Sequence, residues 1–144
     1  MAIQQNEYKV SETDVFVGAA LHDIGYIRIN GIRHGIVGGE IALELGYSKR
    51  IARIIETHIV GGISKELIIA SNLDLPIQDF LPIALEEKIV ACADQLVHER
   101  CKSGIYLIED PSKNEEIAMN IYKLYEDIFY LCFNSRKETV HNSK

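Results

Sequence analysis

Apolar residues recur at spacings of three and four along most of the chain, and no run of strict alternation is long enough to suggest a strand. This pattern predicts an all-α bundle of about six helices. We expect them at residues 11–25, 34–45, 48–59, 65–71, 85–100 and 113–133. Residues 75–82 contain two prolines and are predicted to form a connector. Residues 134–144 are polar and are predicted to form a flexible tail.

Local sequence signals suggest where several of these helices begin and end. Ser11, followed three residues later by Asp14, resembles a capping box with Asp in place of Glu. Ser48 is predicted to be the N-cap of the third helix. Gly25 is expected to end the first helix, and Gly61 with its neighbouring glycine to end the third.

Length and composition indicate one globular domain, expected over residues 1–133. The chain has 144 residues, of which 47% are hydrophobic and 25% charged. It contains no apolar run of the ~20 residues that span a bilayer, and its first residues lack the pattern of a secretory leader. We therefore expect a cytoplasmic protein without a membrane partner. Cys92, Cys101 and Cys132 form no CxxC pair and are expected to be buried thiols.

The net charge of −6 disfavours nucleic acid as a partner, because non-specific binding to nucleic acid depends on neutralising phosphates with Lys and Arg. A small phosphorylated molecule is compatible with this charge if a bound divalent cation supplies the positive charge.

Five polar residues fall on the predicted inward faces of four helices, where polar groups are unusual: His22, Asp23, His34, His58 and Asp94. A single histidine on an apolar face is more often an ordinary hydrogen-bonded core residue. Asp94, between Val90 and Val97, is costly to bury unless it meets a cation or a metal. Together, imidazole and carboxylate ligands favour an open centre for zinc, iron, manganese or nickel.

The same residues lie within motifs of a known family. Leu21-His22-Asp23-Ile24-Gly25 has the form found in HD-domain proteins of the HDIG type. Further matching segments follow in order: Arg33-His34-Gly35, Gly38-Gly39-Glu40, Glu56-Thr57-His58 and Ala93-Asp94-Gln95-Leu96. Over residues 10–100 the chain thus resembles the HD-domain superfamily of metal-dependent phosphohydrolases. It is most similar to small stand-alone hydrolases, which include a bacterial group that cleaves diadenosine tetraphosphate, and to archaeal HDIG proteins.

The resemblance implies an HD-domain helical bundle that binds one or two divalent ions, chosen from Mn, Fe, Ni, Co, Zn and Mg. By this analogy His22, Asp23 and Asp94 hold the first metal. Asp23 would bridge to a second metal held by His34 and His58, and these three residues would be catalytic. The implied substrate is a nucleotide, a dinucleoside polyphosphate or a phosphomonoester.

Two arginines near the motif, Arg28 and Arg33, have two interpretations. They bind substrate phosphate through their planar guanidinium groups, or they are ordinary surface charges. Tyr26 departs from the family, because many HDIG proteins have Lys or Arg after the glycine.

The family's first ligand is a histidine on a preceding helix, and no histidine occurs before His22 in this sequence. The first metal site is therefore expected to be incomplete, unless His98 reaches toward it. This expectation leaves a non-catalytic HD-fold binding or regulatory module as the alternative to an enzyme. A plain interaction bundle is a third reading. The apolar stripe at 113–133 is expected to pack in the core or to form a homodimer face.

Overall fold

We describe a computed structural model, which defines residues 9–101 together with Lys123 and Glu126. Within this part of the chain there are five α-helices and no regular strand, which confirms the all-α class. The helices are α1 (Glu12–Leu21), α2 (His34–Glu44), α3 (Lys49–Thr57), α4 (Lys65–Ala70) and α5 (Leu85–Cys101). Short 3₁₀ helices follow α1 (Ile24–Ile27) and α3 (Ile59–Gly61).

Serine side chains begin three of the helices, and two of these caps were predicted. The Asp14 amide donates to Ser11 Oγ at 3.2 Å, and the Ile51 amide donates to Ser48 Oγ at 3.3 Å. Ser64 caps α4 in the same way. Each hydroxyl accepts from an amide in the first turn that has no partner within the helix.

The predicted end of the first helix is wrong, because α1 stops at Leu21 and not at Gly25. His22 is the C-cap, and Gly25 lies in the following 3₁₀ helix, where it packs directly against the start of α2. A Cβ atom at Gly25 would lie only 1.9 Å from the carbonyl oxygen of His34. Glycine is therefore needed here for close backbone contact and not as a helix terminator.

The third helix also ends earlier than predicted, at Thr57, with His58 as its C-cap. The chain then turns through three consecutive residues of positive φ, namely Val60 at 46°, Gly61 at 73° and Gly62 at 115°. The left-handed region is costly for a β-branched residue such as Val60. Beyond the turn, Ile63 and Phe80 exchange two backbone hydrogen bonds of 3.0 and 2.8 Å, which tie the predicted connector to the helices.

Helix α3 lies at the centre of the bundle, with α1, α2 and α5 packed against it. Its residues Ile54 and Ile55 are almost completely buried. A second apolar cluster, around Ile63 and Leu67, joins α4 to the segment after α3. Glu86 of α5 accepts from the Ser11 amide at 2.8 Å, so α5 also holds the beginning of α1.

Several predictions fall largely outside the described residues. The helix at 113–133, its homodimer face and the tail at 134–144 are of this kind, although Lys123 and Glu126 are helical and exposed. Cys92 is buried, as predicted, while Cys132 lies outside the described range. The side chain of His98 is also not described. Among the described residues, no helix combines the length and apolar character needed to cross a membrane.

Candidate metal centre

The five predicted ligands come from four separate elements and meet at one place. His22 is the C-cap of α1, His34 is the first residue of α2, and His58 is the C-cap of α3. Asp94 lies within α5, and Asp23 follows His22 in the turn after α1. The three histidines therefore occupy helix ends, where a short side chain can reach toward the ends of neighbouring helices.

Asp23 is at the centre of the group. Its Oδ1 lies 3.3 Å from His34 Nε2 and 3.6 Å from His58 Nε2. Its Oδ2 lies 3.2 Å from His22 Nε2. His22 Nε2 is also 3.4 Å from Asp94 Oδ1, so one chain of contacts joins all five side chains. The ligand atoms of His22, Asp23 and His58 lie within 4.8 Å of one another, as expected of a set that can hold one ion.

One detail differs from the prediction that all five side chains face inward. The side chains of His34, His58 and Asp94 are 5%, 2% and 9% exposed, but that of Asp23 is 49% exposed. The reason is that α1 ends before Asp23, which therefore leaves the apolar stripe of the helix. The centre is consequently open to solvent on the Asp23 side.

Backbone hydrogen bonds fix the orientation of all three imidazole rings. The Nδ1 atoms of His22, His34 and His58 each lie 2.7 Å from the carbonyl oxygen of the residue three positions earlier. Because a carbonyl only accepts, each Nδ1 carries a proton and donates it. Each Nε2 is then directed toward the centre, which is the arrangement that protein metal sites use to orient histidine ligands.

The charges of the centre shift the pKa values of its members. The Asp94 carboxylate, assisted by Asp23, raises the pKa of His22 to about 9 although partial burial opposes the change. A hydrogen bond from His58 lowers the pKa of Asp23 to about 2, and His22 and His34 act in the same direction. Burial lowers the pKa of His34. The two carboxylates thus attract positive charge to this point, and a divalent cation experiences the same attraction.

The contact between His34 and His58 tests whether the residues suit a metal. Their Nε2 atoms are 3.2 Å apart, and both rings already donate through Nδ1. Two neutral rings of this tautomer would direct lone pairs at each other, which is unfavourable unless a cation or a proton lies near both. Three nitrogen ligands and two carboxylates form a set suited to Mn, Fe, Co, Ni or Zn. The residues present therefore fit a divalent metal.

The structure places both candidate substrate arginines in ion pairs on the surface. Arg28 meets Glu44 through two contacts of 2.6 and 3.0 Å, and both side chains are largely exposed. Arg33 lies 3.6 Å from the exposed Asp74. Their contact with substrate phosphate remains a prediction, and it requires each arginine to exchange its present carboxylate partner for the substrate.

Tyr26 lies at the centre although it was not among the site residues predicted from the sequence. Its ring stacks on the His34 imidazole, with centroids 4.0 Å apart and planes inclined by only 16°. The sequence feature that could have indicated this role is the position of Tyr26 directly after Gly25, within the turn that carries His22 and Asp23. From the sequence, Tyr26 was noted only as a departure from the Lys or Arg that many HDIG proteins have at this position.

An all-α bundle with an open centre of three histidines and two aspartates describes a class of metal-binding helical domains. Within that class, the HD-domain family model matches residues 1–98. The chain belongs to the HD-domain family. No solved structure matches the chain significantly.

Three proteins from other organisms are similar in sequence to this chain. An uncharacterized protein of Methanocaldococcus jannaschii is 52% identical over 97 residues, which cover 67% of this chain and 56% of the relative. The other two are named tRNA (cytidine(56)-2'-O)-methyltransferases. The protein from Picrophilus torridus is 40% identical over 82% of this chain and 35% of its own length. The protein from Thermoplasma volcanium is 43% identical over 78% of this chain and 33% of its own length. The chain thus spans about half of the first relative and about a third of the other two.

Proposed function

We propose that this domain is a metal-dependent phosphohydrolase acting on a small phosphorylated substrate such as a nucleotide, a dinucleoside polyphosphate or a phosphomonoester. The observation that carries the proposal is the convergence of five ligand side chains, with three imidazoles fixed by their own backbone. The proposed setting is the cytoplasm, and the proposed partner is the small substrate and not nucleic acid.

The residues have distinct tasks in this proposal. His22, His34, His58 and Asp94, the last three nearly buried, would hold one or two divalent cations together with Asp23. A bound divalent cation supplies a nucleophilic water near neutral pH and neutralises charge on the phosphoryl group. Asp23 contacts both sides of the centre from its exposed position, so it is the member best placed to face both cation and substrate. Arg28 and Arg33 are proposed to bind phosphate oxygens after exchanging their carboxylate partners.

The pairing of the arginines with carboxylates supports the proposal that hydrolysis depends on a metal cation. Every arginine among residues 9–95 lies within 4.0 Å of a carboxylate: Arg28 with Glu44, Arg33 with Asp74, Arg50 with Asp14, and Arg53 with Glu56. A dianionic phosphate approaching Asp23 therefore meets the carboxylates of Asp23 and Asp94, and the protonated His22 beside them, whose pKa is raised to about 9, offsets their charge only in part unless a metal cation lies in the centre. Hydrolysis is accordingly expected to require added or co-purified metal.

The test is phosphate release from a panel of nucleotides, dinucleoside polyphosphates and phosphomonoesters with Mn, Fe, Co, Ni, Zn or Mg. Asp23→Asn should abolish turnover and the rise in melting temperature that the metal produces. Glu66→Gln, the same carboxylate-to-amide change at an exposed position of α4, is the matched control and should alter neither. Metal binding by the wild-type chain without turnover on any substrate class would contradict the proposal.

A second candidate is a non-catalytic HD-fold module that works with a tRNA-modifying enzyme. The observation in its favour is that two relatives are named tRNA methyltransferases and match this chain over only about a third of their length. Thermal shifts produced by nucleotides or tRNA, without phosphate release, would support this candidate over the first.

A further inference from the structure

Tyr26 is an aromatic residue at the edge of the metal centre that the proposed chemistry does not use. One face of its ring lies on His34, at 4.0 Å between centroids, yet the residue is 48% exposed. Its amide donates to the Asp23 carbonyl oxygen at 3.0 Å, which fixes its backbone to the ligand turn. The ring is therefore held by the site on one side and accessible on another.

The chemistry of the side chain agrees with this position. A phenol ring provides a flat surface on which a planar group can stack. Unlike the Lys or Arg that many HDIG proteins have after the glycine, it does not attract a phosphate by charge.

We propose that Tyr26 is a specificity-determining residue that stacks on the planar ring of a nucleotide whose phosphate lies at the metal centre. The inference rests on the proposed function and names the base as the part of the substrate that Tyr26 contacts. His34 supports the ring from behind, so a stacked base would extend an ordered series of imidazole, phenol and base. Stacking of this kind does not depend on the identity of the base, because every base offers a π face.

The experiment compares equilibrium binding of AMP and ribose 5-phosphate to the full chain with Mn²⁺, because the two ligands share a phosphorylated ribose and differ in the base. The wild type should prefer AMP by about ten-fold, the size of one aromatic–base stack. Tyr26→Leu should lose this preference, while Tyr26→Phe should keep it.

Tyr47→Leu is the matched control. Tyr47 lies beyond the C-terminal end of α2, a helix of 11 residues and therefore about 16 Å in length, with His34 at its other end. Like Tyr26, Tyr47 is partly exposed. This variant should keep the preference for AMP. The circular dichroism spectrum and melting temperature of Tyr26→Leu show whether this variant is folded. Together with the milder Tyr26→Phe change, they distinguish loss of the stacking contact from loss of the fold.

The outcomes distinguish this inference from the proposed hydrolysis. Equal binding of the two ligands by the wild type, retention of the preference by Tyr26→Leu, or its loss in Tyr26→Phe would overturn the stacking role. A preference for AMP that needs the aromatic ring, without phosphate release by the wild type from any substrate of the panel, would support the role of Tyr26 and overturn the hydrolase.

Discussion

Replacing Gly25 by alanine should destabilise the fold and disturb the metal centre together. The new Cβ would lie 1.9 Å from the His34 carbonyl oxygen and 2.9 Å from the Gly38 amide nitrogen. Both neighbours are backbone atoms, so no side-chain rotation relieves the overlap, and the turn must move by about 1 Å away from α2. Overpacking of this kind costs about 3 kcal/mol in the free energy of unfolding.

The assay is urea unfolding followed by circular dichroism, with and without Mn²⁺. Gly46→Ala is the control, because Gly46 has φ of +87° and no atom within 4 Å of an added Cβ. Its cost comes from backbone conformation alone and should be about 1 kcal/mol. Gly25→Ala should also lose most of the stabilisation by Mn²⁺, because the turn carrying His22 and Asp23 moves relative to His34. If Gly25→Ala costs no more than Gly46→Ala and keeps the response to Mn²⁺, the close contact does not position the site.

Three further predictions concern the scaffold. Ser48→Ala removes the side-chain cap of α3 and should cost about 1 kcal/mol in urea unfolding. Leu67→Ala, at a fully buried position, should cost about 3 kcal/mol, whereas Ile69→Ala, on the exposed face of the same helix, should cost less than about 0.5 kcal/mol. The backbone hydrogen bond from Ser11 lowers the pKa of Glu86 below its ordinary 4.5, so its contribution to stability is present above pH 4.5 and declines as the pH falls through the lowered value. The difference in unfolding free energy between wild type and Glu86→Gln should therefore be largest near pH 7 and shrink in acid. A difference that does not change with pH would contradict this role of the Glu86 charge.

The helices and the ligand set could be predicted from the sequence because both depend on local patterns. Serine caps and apolar spacing are read within one turn, and the two caps predicted at Ser11 and Ser48 are confirmed. Three histidines and Asp94 were selected as candidate ligands because each is a polar group on a predicted apolar stripe, and Asp23 was selected because it follows His22 in the HD motif. Their roles as ligands stay predictions.

The parts that could not be predicted depend on contacts between distant segments. Gly25 has the sequence pattern of a helix terminator, and only the approach of α2 shows that it is a packing contact. The exposure of Asp23 and the stacking of Tyr26 on His34 follow from that early helix end, which no local pattern indicates. The ion pairs of Arg28 and Arg33 likewise join residues far apart in the chain.

The turn after His58 couples the centre to a segment with little regular structure. Val60 holds a left-handed backbone conformation, and the paired backbones of Ile63 and Phe80 close the loop that holds it there. A residue kept in such a conformation relaxes once its surroundings open. Separation of Ile63 from Phe80 would then free the C-terminal side of His58, so the two events belong to one cooperative unit of unfolding. Metal bound at the centre would in turn slow hydrogen exchange of the Ile63 and Phe80 amides. Exchange in this connector, which contributes no ligand, would therefore report whether the metal centre is occupied.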